Sequence, residues 1–278
     1  SVTCKSIIQL LGSNGRITGG SIRFQNDDLA QKTPAQMRAI RGNEIAMIFQ
    51  DPMTALNPVL TIGKQMAEIL MRNKGLTKRA AKAAAIAMLE QVGIAEAERR
   101  YDQYPHEFSG GMRQRVMIAI ALSCNPKLLI ADEPTTALDV TIQAQILRLL
   151  KSLQQQTQTA ILLITHDLGV VAQVCSRVVV MYGGQVMEEG SVEDIFYRPA
   201  HPYTQGLLAS LPRPDEVNQR LSPIEGAPPG LLNPPPGCPF AERCPKRMPQ
   251  CERQPAFYAM GEGHRAACWL WADKEIQA

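Results

Sequence analysis

The stretch "LLIADEPTTALD", residues 128–139, places two adjacent carboxylates, Asp132 and Glu133, at the end of an apolar run. The run "KLLIA" predicts a buried strand, and it delivers both acids to the carboxyl end of that strand, where ligands bind in open parallel sheets. Because neighbouring residues on a strand point to opposite faces, the two acids can have different roles. One can bind Mg²⁺, which favours carboxylate oxygen, and the other can orient and deprotonate a water molecule. A solvated turn with two acids is the alternative.

Two further apolar runs deliver polar side chains in the same way. "EIAMIFQDP" predicts a strand that ends at Gln50, since Pro52 prevents its continuation. "AILLITHD" predicts a strand that is followed by His166. A lone histidine is more often a structural residue, and a buried amide can be structural too. Because Gln50 and His166 are expected at the same edge of one sheet as Asp132 and Glu133, the pattern instead favours a shared site.

A pair of glycines opens a predicted helix at "SGGMRQRVMIAIAL". Ser109, Gly110 and Gly111 stand at its amino end, where free backbone N–H groups bind anions and glycine lets a phosphate approach closely. The alternative is a serine N-cap followed by a flexible turn.

Apolar runs alternate with helical patterns along most of the chain, which predicts an α/β fold with a mostly parallel sheet covered on both faces. "KSIIQLLG" predicts a helix that ends at Gly12, and residues 62–100 have a helical pattern in which "KRAAKAAAIAMLEQVG" ends at a glycine. Further helices are predicted in "TIQAQILRLLKSLQQ" and after His166. "GSIRFQNDDL" predicts a strand and a turn, and "RVVVMYGGQVMEEG" predicts a pair of strands. From about residue 198 the chain is proline-rich, which predicts a domain boundary there.

Composition excludes several classes of protein. The 278 residues carry a net charge of +3 and no long basic run, so no nucleic-acid partner is expected. No apolar stretch reaches the ~20 residues that span a bilayer, and the start, "SVTCKSIIQLLG", does not read as a secretory signal. Of seven cysteines, four crowd into one segment, namely Cys238, Cys244, Cys251 and Cys268. An odd total without an export signal favours a reducing compartment and therefore metal binding over disulfides.

Taken together, the motifs resemble those of the nucleotide-binding subunits of ABC transporters. "FSGGM" is similar to the signature motif of that family, "LLIADEP" to its Walker B strand, "TTALD" to its D-loop, "ITHD" to its H-loop and "FQDPMTALNP" to its Q-loop. They follow in the family's order, and the resemblance covers residues 1 to about 195. Phe108 and Met112 replace the Leu and Gln that are usual in the signature, but the phosphate-facing "SGG" is intact. The resemblance implies a P-loop ATPase domain at 1–198 with a helical subdomain at about 58–125.

The resemblance also implies roles for individual residues. Two subunits would sandwich two ATP molecules, so that the glycines of one subunit face the γ-phosphate held by the other. Catalytic roles are implied for Glu133, which polarises the water, for His166, which contacts the γ-phosphate, and for Gln50. Nucleotide binding is implied for Ser1, Ser109, Gly110, Gly111, Asp132 and Asp139. Mg²⁺ binding is implied for Ser1, Gln50 and Asp132.

The Walker A loop of the family, G-x-x-x-x-G-K-[ST], does not occur in the sequence. "SVTCKSIIQLLG" resembles the residues that follow its lysine, so Ser1 aligns with the Walker A serine. The glycine loop, the lysine and the aromatic that stacks on adenine are then expected before residue 1, and a chain without them is not expected to bind or hydrolyse ATP alone. A truncated or non-hydrolysing regulatory subunit is the alternative. Intact Glu133, His166 and "SGG" favour an ATPase, and the lack of a long coiled-coil insertion excludes a DNA-repair ATPase.

"DPMTALNPVLTIGKQ" and "HPYTQGLLASLP", residues 201–212, resemble the oligopeptide and dipeptide importer branch, with a C-terminal extension at 199–278. Relatives in that branch carry an iron–sulfur cluster on four such cysteines. The spacing C-x5-C-x6-C-x16-C does not fit zinc-finger pairs, whereas thiolates suit a [4Fe–4S] cluster. Zinc and free thiols are the alternatives. His201 and His264 are interpreted as structural or family-signature residues and not as ligands.

The implied partners are a second ABC ATPase subunit, forming a heterodimer, two transmembrane permease subunits and an extracytoplasmic peptide-binding protein. The implied location is the cytoplasmic face of the bacterial inner membrane. Substrate choice belongs to the other subunits, so import of nickel or glutathione is the alternative to peptide import.

Overall fold

The computed structural model of the protein describes residues 1–136, 138–212 and 223–272. The chain divides into two compact units, Ser1–Asp167 and Leu168–Ala278. Among the described residues, no helix combines the length and the apolar character needed to span a bilayer.

The first unit contains eight helices and five strands within its described residues. Its helices are α1 (Val2–Ile7), α2 (Pro34–Ile40), α3 (Pro52–Ala55), α4 (Ile62–Lys74), α5 (Lys78–Gln91), α6 (Ala97–Tyr101), α7 (Gly110–Leu122) and α8 (Val140–Thr157). Its strands are β1 (Arg23–Phe24), β2 (Asp27–Asp28), β3 (Ile45–Ile48), β4 (Leu128–Asp132) and β5 (Ala160–Ile164).

Strands β3, β4 and β5 form a parallel sheet, as the sequence predicts, and their order in the sheet is β3-β4-β5. Ala131 of β4 pairs with Ile48 on one side and with Leu163 on the other, so the three strands end at the same edge. Leu129 of β4 packs into the core formed with α4, α5 and α7, whereas Ile130 packs into a second core with α1 and α2. The central strand is therefore covered on both faces, which explains why its apolar run is continuous.

Side-chain caps fix where the helices begin. The hydroxyl oxygens of Thr61 and Thr77 accept hydrogen bonds from the backbone N–H groups of Lys64 and Ala80, each at 3.3 Å. These bonds satisfy N–H groups that have no partner within the helix. Helix α5 ends before Gly93, which takes φ +77°, so the predicted glycine terminus is confirmed.

The structure corrects two predicted boundaries. The first helix ends at Ile7 and not at Gly12, because Gln9 takes the left-handed conformation at φ +50° and the N–H of Leu10 bonds the carbonyl of Lys5 at 2.7 Å. This bond pattern closes a helix end without a glycine. Strand β3 ends at Ile48, two residues before Gln50, so the glutamine lies in the following loop.

The second unit is built on an antiparallel sheet of order β6-β7-β9-β8. Its described elements are α9 (Leu168–Val174), β6 (Arg177–Tyr182), β7 (Gln185–Ser191), α10 (Val192–Tyr197), α11 (Pro202–Ala209), β8 (Tyr258–Gly261) and β9 (His264–Ala266). The sequence predicts the β6–β7 pair but not β8 and β9, which come from the proline-rich extension. Glu188 of β7 pairs with Ala266 of β9, so part of the extension continues this sheet.

A buried carboxylate ties three segments of the second unit together. Glu188 is fully buried and accepts hydrogen bonds from the backbone N–H groups of Ala200 at 2.7 Å and His201 at 2.9 Å. Its other contact is with Nε2 of His264, 2.8 Å away. A buried acid needs such partners, and here they connect β7, the start of α11 and β9.

Replacement of Gly63 by alanine should destabilise the first unit. A Cβ at this position of α4 would overlap the ring of Tyr101, which is itself buried. Overpacking costs about 1–3 kcal/mol, which outweighs the ~1 kcal/mol that alanine gains over glycine in a helix. Thermal and denaturant unfolding of the purified protein measures the effect. Gly12→Ala is the control, since a Cβ there meets no atom within 4 Å. Equal stability of the two variants would contradict the packing argument.

Candidate functional site

Glu133 leaves the end of β4 in a conformation that is unusual for a residue with a side chain. Its φ is +49°, in the left-handed region, and its N–H donates to the carbonyl of Ile164 at 2.9 Å. The strand pairing with β5 is thus extended by one residue while the chain turns away. Such conformations cost about 1–3 kcal/mol and are concentrated at functional sites.

The carboxylate of Glu133 collects donors from three different segments. Nε2 of Gln50 and Oγ1 of Thr136 both donate to Oε2 at 2.9 Å. Nδ1 of His166 lies 3.4 Å from Oε1. The structure therefore brings together Gln50, Glu133 and His166, three of the residues that the sequence singles out. The His166 side chain is 73% exposed and that of Glu133 is 23% exposed, so the site is open to solvent.

These contacts keep Glu133 ionised. The hydrogen bond from Thr136 is the largest cause of a lowered pKa of the Glu133 carboxyl. Burial, the next largest, opposes it, and smaller contributions from His166 and Gln50 lower the pKa further. A carboxylate that is ionised at neutral pH can accept a proton from a bound water, or orient that water by accepting a hydrogen bond. Since Oε2 already accepts two hydrogen bonds, Oε1 is the oxygen that is better placed for a water.

Asp132 has a different environment from its neighbour. It is 3% exposed, and its Oδ1 lies 3.8 Å from the backbone nitrogen of Ser1. Burial, followed by the charge of Asp132, raises the pKa of the Cys4 thiol in α1 to about 11. Two oxygen-bearing residues, Ser1 and Asp132, thus stand beside each other at the sheet edge. Their hydroxyl and carboxylate oxygens are the donor type that Mg²⁺ prefers.

The glycine pair opens α7, and its two members have different surroundings. The Ser109 side chain is the N-cap and accepts from the N–H of Met112 at 3.4 Å. A Cβ at Gly110 would meet no atom within 4 Å, whereas one at Gly111 would lie 2.8 Å from Cγ2 of Ile142. Gly110 therefore leaves the helix terminus open to a ligand, and Gly111 allows α7 to approach α8.

Asp139 caps α8 and lies near the glycine pair. Its carboxylate accepts from the N–H of Ile142 at 2.9 Å, and Ile142 is the residue that packs on Gly111. The "SGG" segment and the end of the "TTALD" segment are thus joined through the first turn of α8. Ala137 of that second segment lies outside the described residues.

A second cluster lies in the other unit, where all four crowded cysteines line one small enclosed cavity. They are free thiols, and Cys238, Cys251 and Cys268 are buried. Gly237 lets the segment before Cys238 approach the backbone of Cys251 and Glu252, which occupies the space that a side chain at position 237 would need. The N–H of Cys238 then bonds the carbonyl of Cys251 at 3.0 Å.

The four thiols are near enough to affect each other's ionisation. Burial is the main cause that raises the pKa of Cys238, of Cys244 and, to about 11, of Cys268. The neighbouring cysteines raise these pKa values further. Cys244 and Cys251 raise that of Cys238, and Cys251 raises that of Cys244. The pKa of Cys268 is raised by Cys238, Cys244 and Cys251. Every pair of these sulfurs therefore interacts electrostatically.

Each sulfur also accepts hydrogen bonds from the backbone. Cys238 accepts from the N–H groups of Phe240 and Ala241, and Cys244 accepts from that of Lys246. Cys251 accepts from the N–H of Met248 at 3.4 Å, and Cys268 accepts from that of Leu270. Such bonds favour the thiolate, which is the form that binds metal. Among the described residues, no three His, Cys, Asp or Glu side chains are arranged to hold a metal ion.

Two contacts at these candidate sites have only weak sequence signals. Thr136 lies three residues after Glu133 in a turn, where a hydroxyl can reach back to the acid, but the sequence assigns it no role. His201 caps α11 and lines the cysteine cavity, whereas the sequence indicates only a structural or family-signature residue. Burial lowers the pKa of the His201 imidazole to about 4, so the ring is neutral at pH 7. His264 is buried against Glu188, in agreement with a structural role.

Family models match two segments of the chain. The model described as ABC transporter matches residues 1–136, and the model described as oligopeptide/dipeptide transporter, C-terminal region, matches residues 187–251. The second match contains His201 and three of the four cavity cysteines.

Curated relatives are similar over nearly the whole chain. The dipeptide transport ATP-binding protein DppD of Bacillus subtilis is 56% identical over 97% of this chain and 81% of its own length. The oligopeptide transport ATP-binding protein OppD of Haemophilus influenzae is 51% identical over 99% of this chain and 84% of its own length. OppD of Salmonella typhimurium is 51% identical over 97% of this chain and 80% of its own length.

Solved structures agree with these relatives. A dimeric ATP-binding cassette in a post-hydrolysis state, bound to ADP and Pi, superposes with a TM-score of 0.59 at 27% identity, over 68% of this chain and 80% of that chain. A P-loop ATPase fold is therefore shown, and with it the use of ATP and Mg²⁺. On the strength of the relatives, the chain belongs to the ATP-binding subunits of ABC transporters, in the oligopeptide/dipeptide importer branch.

Proposed function

We propose that this protein hydrolyses ATP to drive the uptake of oligopeptides or dipeptides through a bacterial membrane. The contact of Glu133 with both Gln50 and His166 is the observation that carries the proposal, because it joins the ends of three neighbouring strands around one ionised carboxylate. A non-hydrolysing subunit would not need that arrangement. The names of the relatives support peptides as the substrate, and nickel or glutathione import remains the alternative.

In the proposed reaction, Glu133 accepts a hydrogen bond from the attacking water and polarises it. Gln50 and Thr136 hold the carboxylate ionised and in place. His166, which is largely exposed, contacts the γ-phosphate. Phosphoryl transfer depends on positioning and on neutralising charge, and these residues supply both.

The Mg²⁺ site is proposed at Ser1, Asp132 and Gln50. Bound Mg²⁺ would neutralise charge that develops on the phosphate oxygens. Asp132 is buried beside Ser1, so its carboxylate is preoriented and poorly solvated. The remaining nucleotide contacts are proposed for Ser109, Gly110, Gly111 and Asp139, which would face the ATP that is held by a second subunit.

We propose a working division into an ATPase domain at 1–198, with its helical subdomain at about 58–125, and an extension at 199–278. Residues 213–222 and 273–278 of that extension lie outside the described residues. Proposed partners are a second ATPase subunit, two permease subunits and an extracytoplasmic peptide-binding protein. Together they would place this subunit on the cytoplasmic face of the inner membrane.

We also propose that the four cavity cysteines hold one [4Fe–4S] cluster with a structural role. A cluster binds one thiolate at each iron, so its ligands surround a volume and do not meet at a point. Four mutually interacting sulfurs that line one cavity and accept from backbone N–H groups fit that requirement, and the spacing C-x5-C-x6-C-x16-C does not fit zinc-finger pairs. Cluster binding would connect Cys238, Cys244, Cys251 and Cys268 across a segment that has few buried aliphatic residues.

Glu133→Gln should abolish ATP turnover and preserve nucleotide binding. The amide cannot take a proton from water, and loss of a general base costs ~10²-fold or more. ATPase rate and nucleotide affinity of the complete transporter measure the two effects. Glu68→Gln, at an exposed position of α4, is the matched control. A Glu133 variant with more than about a tenth of the wild-type rate would show that this residue is not the base.

Alanine substitutions of the two signature glycines, Gly110 and Gly111, should have different effects. Gly110→Ala should lower the ATPase rate of the transporter by about tenfold or more, because a methyl group stands between the helix N-terminus and the phosphate, while stability changes by less than ~0.5 kcal/mol. Gly111→Ala should lower the unfolding temperature as well, since the new Cβ overlaps Ile142. ATPase assays and thermal unfolding of both variants separate the effects. Wild-type turnover in Gly110→Ala would contradict the proposed phosphate contact.

Anaerobically purified protein should be brown, with broad absorbance near 400 nm and about four irons per chain, as the cluster type requires. Cys244→Ser should reduce iron content and lower the stability of the extension, because one thiolate is lost. Cys175→Ser is the control, since that thiol is half-buried and does not line the cavity. Colourless protein with stoichiometric zinc, or with no metal and four alkylatable thiols, would refute the cluster.

A further inference from the structure

His201 occupies a buried position at the start of α11. The residue is 1% exposed, and its Nδ1 accepts a hydrogen bond from the N–H of Tyr203 at 3.0 Å. A nitrogen that accepts from a backbone N–H carries no proton of its own. The proton of the neutral ring is therefore assigned to Nε2, which makes that atom a hydrogen-bond donor.

Nε2 of His201 has no hydrogen-bond partner among the described residues, although it is fully buried. An unpaired buried donor costs about 1–3 kcal/mol, so a protein seldom keeps one without a reason. The ring lines the same cavity as the four cysteines. An acceptor inside that cavity would satisfy the donor.

We propose that His201 Nε2–H donates a hydrogen bond to sulfur of the group that the four cysteines hold, either to a cysteine thiolate or to an inorganic sulfide. The inference rests on the [4Fe–4S] cluster proposed above. His201 is not a ligand in this arrangement but a positioning residue that acts on the charge of the cluster. Because His201 is the N-cap of α11, the hydrogen bond also connects this helix to the cysteine segment.

The direction of the electronic effect follows from electrostatics. A donor aimed at sulfur stabilises the more negative, reduced state of a cluster and thereby raises its reduction potential. Glu188 holds the backbone N–H of His201 at 2.9 Å, and the cap bond to Tyr203 holds the ring. Both contacts preorganise the donor, so the donor needs little reorganisation when the cluster changes charge.

Two substitutions separate the donor from the helix cap. Asparagine at 201 can keep the cap through its Oδ1, which takes the place of Nδ1, but it has no polar atom as far out as Nε2. Glutamine places an N–H donor near the position of Nε2. Thr204→Val is the matched control, because it removes another buried, unpaired polar atom of α11 that does not line the cavity.

The test is a redox titration of the anaerobically purified full-length protein, with iron content and thermal unfolding measured in parallel. His201→Asn should lower the reduction potential of the cluster. At a fixed applied potential, the ratio of oxidised to reduced cluster should rise by about tenfold, which corresponds to 59 mV for a one-electron couple. His201→Gln should recover most of this shift, and Thr204→Val should leave the potential unchanged. An unchanged potential in an iron-loaded His201→Asn protein would overturn the proposal.

A second measurement decides the matter if His201→Asn does not assemble a cluster. With ¹⁵N-histidine incorporated, pulsed EPR of the reduced wild-type cluster should detect a weakly coupled nitrogen that is lost in His201→Gln. A cluster without this coupling would refute the role of His201 and leave the proposed cluster intact. Wild-type protein without iron would instead refute the cluster itself and the present inference with it.

Discussion

The parallel alignment of three strands at their carboxyl ends is the constraint on which the first unit and its candidate site depend. β4 pairs in register with β3 and β5, so the residues that follow each strand emerge at one edge. Glu133 can then receive Gln50 from one side and His166 from the other. A slip of one residue in either pairing would send alternate side chains to the wrong face and separate the set.

The two adjacent acids show how backbone geometry places neighbouring carboxylates in different environments. Asp132 belongs to the ladder and is buried, whereas Glu133 turns away at φ +49° and is partly exposed. Three donors then hold the Glu133 carboxylate, whose pKa is lowered chiefly by Thr136. The strained turn therefore gives one acid to the interior and the other to solvent.

The second unit depends on buried polar contacts between segments that are distant in sequence. Glu188 binds the start of α11 through its backbone and β9 through His264. A third hydrophobic cluster, with Phe240 at its centre, packs Tyr182 and Met187 against the cysteine segment. His201, whose buried Nε2 has no hydrogen-bond partner among the described residues, and the four thiols line one cavity.

The sequence alone determined the local elements. Period and flanking residues predicted β3, β4, β5 and the long helices, and the capping residues Ser109 and Asp139 stand where the helices begin. Tertiary structure decided what these patterns leave open. It ended α1 at Ile7, paired β9 with β7 and β8 with β9, and joined Thr136 to Glu133. It also placed His201 in the wall of the cavity that the four cysteines line. Local periodicity reports only which face of an element is buried, whereas pairing partners and unsatisfied donors are set by contacts between segments far apart in the chain.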